Sequence, residues 1–146
     1  MTMVDVSGKP EVNREATAAG KIRLKPETIT LIQQGKIAKG DPLHTAKIAG
    51  ILAAKKCSEL VPLCHPLPLT KVEVDAKIAA DKKTVEITAF VKTRAQTGVE
   101  MEALTAVSVA LLTVWDMTKQ YEKDPNGQYP STAIEDIRVL KKLKQV

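Results

Sequence analysis

Lys71-Val72-Glu73-Val74-Asp75-Ala76-Lys77-Ile78, followed by Val85-Glu86-Ile87-Thr88-Ala89-Phe90-Val91, decides the fold class. Val72, Val74, Ala76 and Ile78 alternate with charged residues. Past a turn at Ala80-Asp81-Lys82-Lys83, Val85, Ile87, Ala89 and Val91 alternate with polar residues and Phe90. Period two on both arms predicts two half-buried antiparallel strands joined as a hairpin. The polar positions would form a wet second face, with partial cover at Phe90.

Upstream, Pro62, Pro66 and Pro68 exclude a helix or a central strand over 62–68. That segment reads as a stiff loop in which Pro66 biases His65 to an extended backbone. Asp41-Pro42 is an N-cap with proline in the first turn. It opens a helix over about 42–57 whose alanines and Gly50 allow close packing. Pro26 opens a short helix, 26–34, that stops at Gly35. A first strand is expected over 14–24, and the polar residues 1–13 are expected to be mobile unless another element holds them. Downstream, a long helix is expected over 98–121. Asp124-Pro125-Asn126-Gly127 is a turn cluster, and a last strand runs over 134–141 with Ile137 and Val139 on one face. Strand, helices, two strands, helix, strand is the split β-α-β order of a ferredoxin-like α+β domain: an antiparallel sheet with helices on one face. At 146 residues the chain reads as one domain, 1–146.

Hydrophobic residues make up 44% of the chain, enough for a core, but aromatic residues only 3%. That scarcity argues against a base-stacking platform. A net charge of +5 and a pI near 9.2 favour anionic partners. The basic residues are spread along the chain, so a small phosphorylated substrate fits as well as a nucleic acid. Two cysteines, Cys57 and Cys64, make no disulfide scaffold. No signal peptide is visible, and a reducing cytoplasm is the expected setting. Thr105, Ser108, Thr113 and Asp116 interrupt the longest apolar segment, which reads as a buried helix and not as a membrane span.

Between Ala103 and Met117 apolar residues occupy nearly the whole helix circumference, and one sheet cannot bury all of it. This points to an oligomer, although the helix at 42–57 could supply part of the cover. Glu102 and Asp116 stand fourteen positions apart, about 21 Å along one helix. A small substrate that meets both must lie between two subunits.

Each polar group here has an ordinary role beside a chemical one. Thr97 and Glu100 have capping-box spacing, and Glu102 suits the first turn of a helix. Asp116 and Lys119 are i,i+3 neighbours and could be a surface ion pair. The apolar neighbours Val114, Trp115 and Met117 suggest instead a partly desolvated pair with shifted proton affinities. Cys64-His65 invites a zinc or nucleophile reading. However, Cys57 lies seven residues upstream at no ligand-pair spacing, His44 is far upstream, no paired Cys or His motif exists, and adjacent side chains of an extended segment diverge. Cys57 reads as a buried small residue. Lys39 lies in a loop before a capped helix, a workable phosphate site. No P-loop, dinucleotide-binding glycine motif or nucleophile elbow is present.

Several stretches together resemble the cyclic pyranopterin monophosphate synthase family of molybdenum cofactor biosynthesis. They are Met3-Val4-Asp5-Val6-Ser7, Lys39-Gly40-Asp41, 46–55, Leu63-Cys64-His65-Pro66-Leu67, Gly98-Val99-Glu100-Met101-Glu102-Ala103-Leu104-Thr105 and Asp116-Met117-Thr118-Lys119. The resemblance implies a lyase that rearranges a 3′,8-cyclised dihydro-GTP into the tricyclic cyclic phosphate with loss of pyrophosphate. It implies Asp116 as acid/base with Lys39 and Lys119 as catalytic partners. Leu63, Cys64, His65, Met101, Glu102 and Glu100 would line the substrate pocket, and Arg14 and Lys55 would bind or steer substrate. It also implies a homohexamer, a trimer of dimers with the site at a subunit interface. From the residues themselves no cofactor, resident metal, nucleic acid or membrane partner is expected, and a divalent cation stays possible though no motif indicates one. Family members commonly carry a glycine-rich tail with a lysine. This chain ends Lys141-Lys142-Leu143-Lys144-Gln145-Val146, where Lys142 or Lys144 would have to replace it. Two rival readings are a nucleic-acid module, detectable by a steep salt dependence of RNA binding, and a catalytically dead regulatory oligomer.

Overall fold

The computed structural model describes residues 1–145. The hairpin forms as its period demands: β2 (Leu69–Ile78) and β3 (Thr84–Ala95) pair antiparallel, Val74 opposite Ala89. Asp81 builds the turn. Its Oδ1 accepts from the Lys83 and Thr84 N–H groups (2.8 and 3.2 Å), and Lys82 takes a positive φ of 59°. β1 (Val12–Arg23) pairs with β3 on one side and β4 (Ala133–Gln145) on the other, giving the antiparallel order β2-β3-β1-β4. The two β-α-β units therefore interleave, and the fold is α+β.

Helices cover one face: α1 (Pro26–Gln33), α2 (Pro42–Lys55), α3 (Cys57–Leu60) and the 23-residue α4 (Glu100–Glu122). Ala16, Ala18 and Ile22 of β1 and Val85, Ile87, Ala89 and Val91 of β3 meet Ala103, Val107, Leu111 and Val114 of α4, all buried. Each fully buried Val, Leu or Ile among them contributes about 1.5–3 kcal/mol. Two glycines set the distances. A Cβ at Gly20 would press on Val107, Leu111 and Ile137, each at 3.0 Å, and one at Gly50 would press on Ala106 O and Val74 at 3.1 Å. Gly20 brings α4 onto the sheet, and Gly50 brings α2 onto α4. The other sheet face carries half-buried Glu15, Thr17, Thr88, Phe90 and Lys92.

Two expectations change. The helix foreseen to residue 57 breaks at Lys56 into α2 and α3. α2 covers the flank of α4 that the sheet cannot reach, the cover within the chain that the sequence left open, and Leu112 remains 57% exposed. β4 is longer than its alternating core suggested and is bulged. Arg138 pairs with Ala19 and Glu135 with Lys21, so Asp136 (φ 59°) and Ile137 together oppose Gly20. A second register shift falls between Thr17 and Ala18, and Ile137 and Val139 stay nearly 40% exposed.

Candidate active site

The loop between α1 and α2 is tied down so that Lys39 projects over α4. Gly35, at φ +67°, ends α1 and donates its N–H to Ile32 O (3.1 Å). The Ala38 N–H donates to the Tyr121 hydroxyl oxygen (2.8 Å). Gly40 takes φ +116°, and Asp41 then caps α2 by accepting from the Leu43 and His44 N–H groups (3.0 and 3.2 Å). Held this way, Lys39 Nζ donates to Asp116 Oδ2 (2.9 Å) and to Asp116 O (3.2 Å). Lys119 Nζ stands 3.0 Å from Asp116 Oδ1.

Asp116 thus sits between two ammonium groups, one brought from a distant loop. The Lys39 hydrogen bond first, and then that of Lys119, hold its carboxyl below the usual 3.8. The expected desolvation is not found. The side chains are 43%, 56% and 43% exposed, so the trio contributes little to folding. Beside it, Leu112, Trp115, Tyr129 and Ile134 line an apolar concavity of about 430 Å³ that Asp116 and Lys119 border. Trp115 and Tyr129 meet edge to face, centroids 5.1 Å apart.

The other sequence candidates gather at the opposite end of α4. Leu63, Cys64 and His65 of the proline-braced loop, with Gly98, Glu100 and Met101, line a concavity of about 300 Å³. His65 Nε2 lies 2.7 Å from Val4 O, and the Gln96 amide donates to Ser7 O (3.3 Å), so the N-terminal segment lies against this loop. The Thr97–Glu100 capping box does not form: Val99 is the N-cap, without a side-chain bond. Glu100 Oε1 instead accepts from Lys142 Nζ (3.2 Å). A Cβ at Gly98 would collide with the Glu100 carboxylate and stand 3.0 Å from Lys142 Cε. The glycine makes room for this pair, which the helix-start pattern gave no means of finding.

Glu102 does not face solvent. It is 3% exposed, and burial first, with the Glu100 charge adding, pushes its carboxyl up to about 7. Cys64 is pushed up to about 12, by burial and then by Glu102. That opposes a resting nucleophile, which needs a thiolate. His65 bonds to the main chain of Val4 and does not activate the thiol. Cys57 is buried as expected, its Sγ 3.9 Å from Cys64 Sγ. Arg14 lies on the inner face of β1, 4% exposed, and donates to Ala95 O (2.9 Å) and Pro10 O (3.4 Å). Lys55 is exposed in the last turn of α2. The fold therefore makes two patches, one around Asp116 and one around Cys64 and Glu100, that do not meet within one chain.

A MoaC family profile matches residues 3–144. The chain belongs to the MoaC family. Among its relatives in that family, a Thermococcus kodakarensis protein described as a probable cyclic pyranopterin monophosphate synthase is 59% identical over 97% of this chain and 90% of its own length. A Pyrococcus abyssi protein of the same description is 58% identical over 97% of this chain and 88% of its own. A Methanothermobacter thermautotrophicus MoaC relative, 57% identical over the same shares, is described as a probable synthase accessory protein.

Proposed function

We propose that the chain is a cyclic pyranopterin monophosphate synthase of cytoplasmic molybdenum cofactor biosynthesis. It would convert the 3′,8-cyclised dihydro-GTP to cyclic pyranopterin monophosphate and pyrophosphate. The observation that carries this reading is the Lys39–Asp116–Lys119 trio: a solvent-facing carboxylate between two ammonium groups, beside an apolar concavity. Asp116, kept ionised, accepts and relays protons, and the lysines donate them. The same lysines offset charge on the departing pyrophosphate. The chemistry needs no redox step.

In this reading Leu63, Cys64, His65, Met101 and Glu100 form the wall that meets the ring system, with Glu102 buried behind it. Arg14, engaged with main-chain carbonyls, and Lys55 act from the periphery, and Lys142, paired with Glu100, brings a cation to that wall. Because the two patches lie at opposite ends of α4, the working site joins them across two subunits of a hexamer. The accessory description of one relative favours a second reading, a non-catalytic partner of the synthase. One assay separates the two: turnover of the cyclised substrate by the purified chain. We expect turnover, and its near-complete loss in Asp116→Asn with melting unchanged. Lys39→Ala and Lys119→Ala should each impair it strongly. An inert wild-type chain overturns the synthase reading.

A further inference from the structure

Cys57 takes no part in the proposed reaction, yet its surroundings are unusual. It comes from α3, Cys64 from the proline-braced loop, and Glu102 from the first turn of α4. Their donor atoms all lie within 4.8 Å of one another. No sequence spacing announces this cluster, because its third member is forty-five positions from its first.

The two sulfurs stand 3.9 Å apart. Two zinc–sulfur bonds of about 2.3 Å at the tetrahedral angle place sulfurs about 3.8 Å apart. Glu102 is 3% exposed, and its Oε1 is buried without a hydrogen-bond partner. An orphaned buried carboxylate oxygen is costly and calls for an explanation. Among the described residues, no ion pair reaches Glu102. The Thr105 hydroxyl lies 3.4 Å from Cys57 Sγ, placed to donate to a thiolate as the supporting partner of a metal ligand.

We propose that Cys57, Cys64 and Glu102 bind one divalent cation of the zinc class. Two thiolates and one carboxylate suit zinc or cobalt and not magnesium or calcium, which take oxygen donors. Three protein donors leave a tetrahedral ion one open position. The cation would bind α3, the 61–68 loop and α4 to one another and give the orphaned oxygen its partner. The expectation that the chain holds no metal rested on the missing motif. The fold supplies the third donor.

The test is titration of chelator-treated, reduced full-length protein with Co2+, followed by displacement with Zn2+. We expect saturation at one ion per chain, with thiolate-to-cobalt charge-transfer absorption, and a melting temperature that rises with Zn2+. Cys57→Ser should lose part of the charge-transfer intensity. Cys57→Ser and Glu102→Gln should each weaken binding by more than the roughly 10–100-fold that loss of a supporting partner costs. Either variant suffices if the other fails to fold. Absence of saturable binding, binding without thiolate absorption, or unchanged affinity in the folded variant overturns the proposal. The titration is read without substrate and turnover is scored separately on wild type, so the cation site and the synthase reading fail or stand separately.

Discussion

A carboxylate held by two ammonium groups releases its charge only to a strong acid, so Asp116 enters any reaction as the anion. Glu102 is the opposite case, a carboxyl whose burial favours the neutral form. Its folded value of about 7 lies above the ordinary 4.5. The stability it contributes in the metal-free protein is therefore fully present below about pH 4.5 and is lost as pH rises through about 7. Melting of chelator-treated wild type between about pH 5 and 8 should fall more steeply than that of Glu102→Gln. Parallel curves would show that water reaches the carboxylate. Glu122 is a third case, fully buried but satisfied. Its oxygens accept from the Lys25 N–H (3.1 and 3.2 Å), the Thr28 hydroxyl and the Thr132 hydroxyl (2.7 Å). Glu122→Gln weakens charge-assisted bonds and should cost about 2 kcal/mol. That is a fall of about 4–8 °C in Tm, with little effect on turnover below the transition.

At the scale of elements, the Lys39 loop depends on one hydroxyl. Tyr121→Phe removes the acceptor for the Ala38 N–H, and we expect lower turnover with a stability loss of only about 1 kcal/mol. Turnover unchanged in that variant would mean Gly35 and Asp41 hold the loop alone. Tyr121 was invisible in the sequence because a tyrosine ending a helix carries no mark of what its hydroxyl meets. The hairpin was legible because its period is local, α1 because Pro26 and Gly35 bracket it, and α4 because of its long apolar run. So was the split β-α-β order. β4 was less so: its bulges break the alternation that reveals a strand, and its end, Lys141-Lys142-Leu143-Lys144, has the charge of an edge. The Asp116–Lys119 neighbourhood followed from spacing alone. Lys39 was legible only as a phosphate site before a capped helix; its link to Asp116 came through family resemblance, because the 2.9 Å contact depends on a loop closing across seventy-seven positions. Glu102 looked like an exposed first-turn carboxylate because helix-start rules ignore what packs against the helix.

At the scale of the whole molecule, the separation of the two patches makes a prediction. Glu100→Gln, in the substrate wall, is expected to lose turnover; mixed and exchanged with inactive Lys39→Ala it should recover part of it, because a site formed by two chains can then draw an intact residue from each. No recovery despite subunit exchange seen by mass spectrometry places both residues in one chain's site, and a fully active monomer removes the shared site. The bulged edge of the sheet bears on how copies can meet. A flat outer strand offers its main-chain groups to any matching strand, and growth by that route has no natural end. Two register breaks, a left-handed Asp136 and a lysine-rich end spoil β4 as such a template. At this edge any contact between copies would rest on side-chain shape, a mode that can close on itself at a fixed number and keep an enzyme from becoming a fibre.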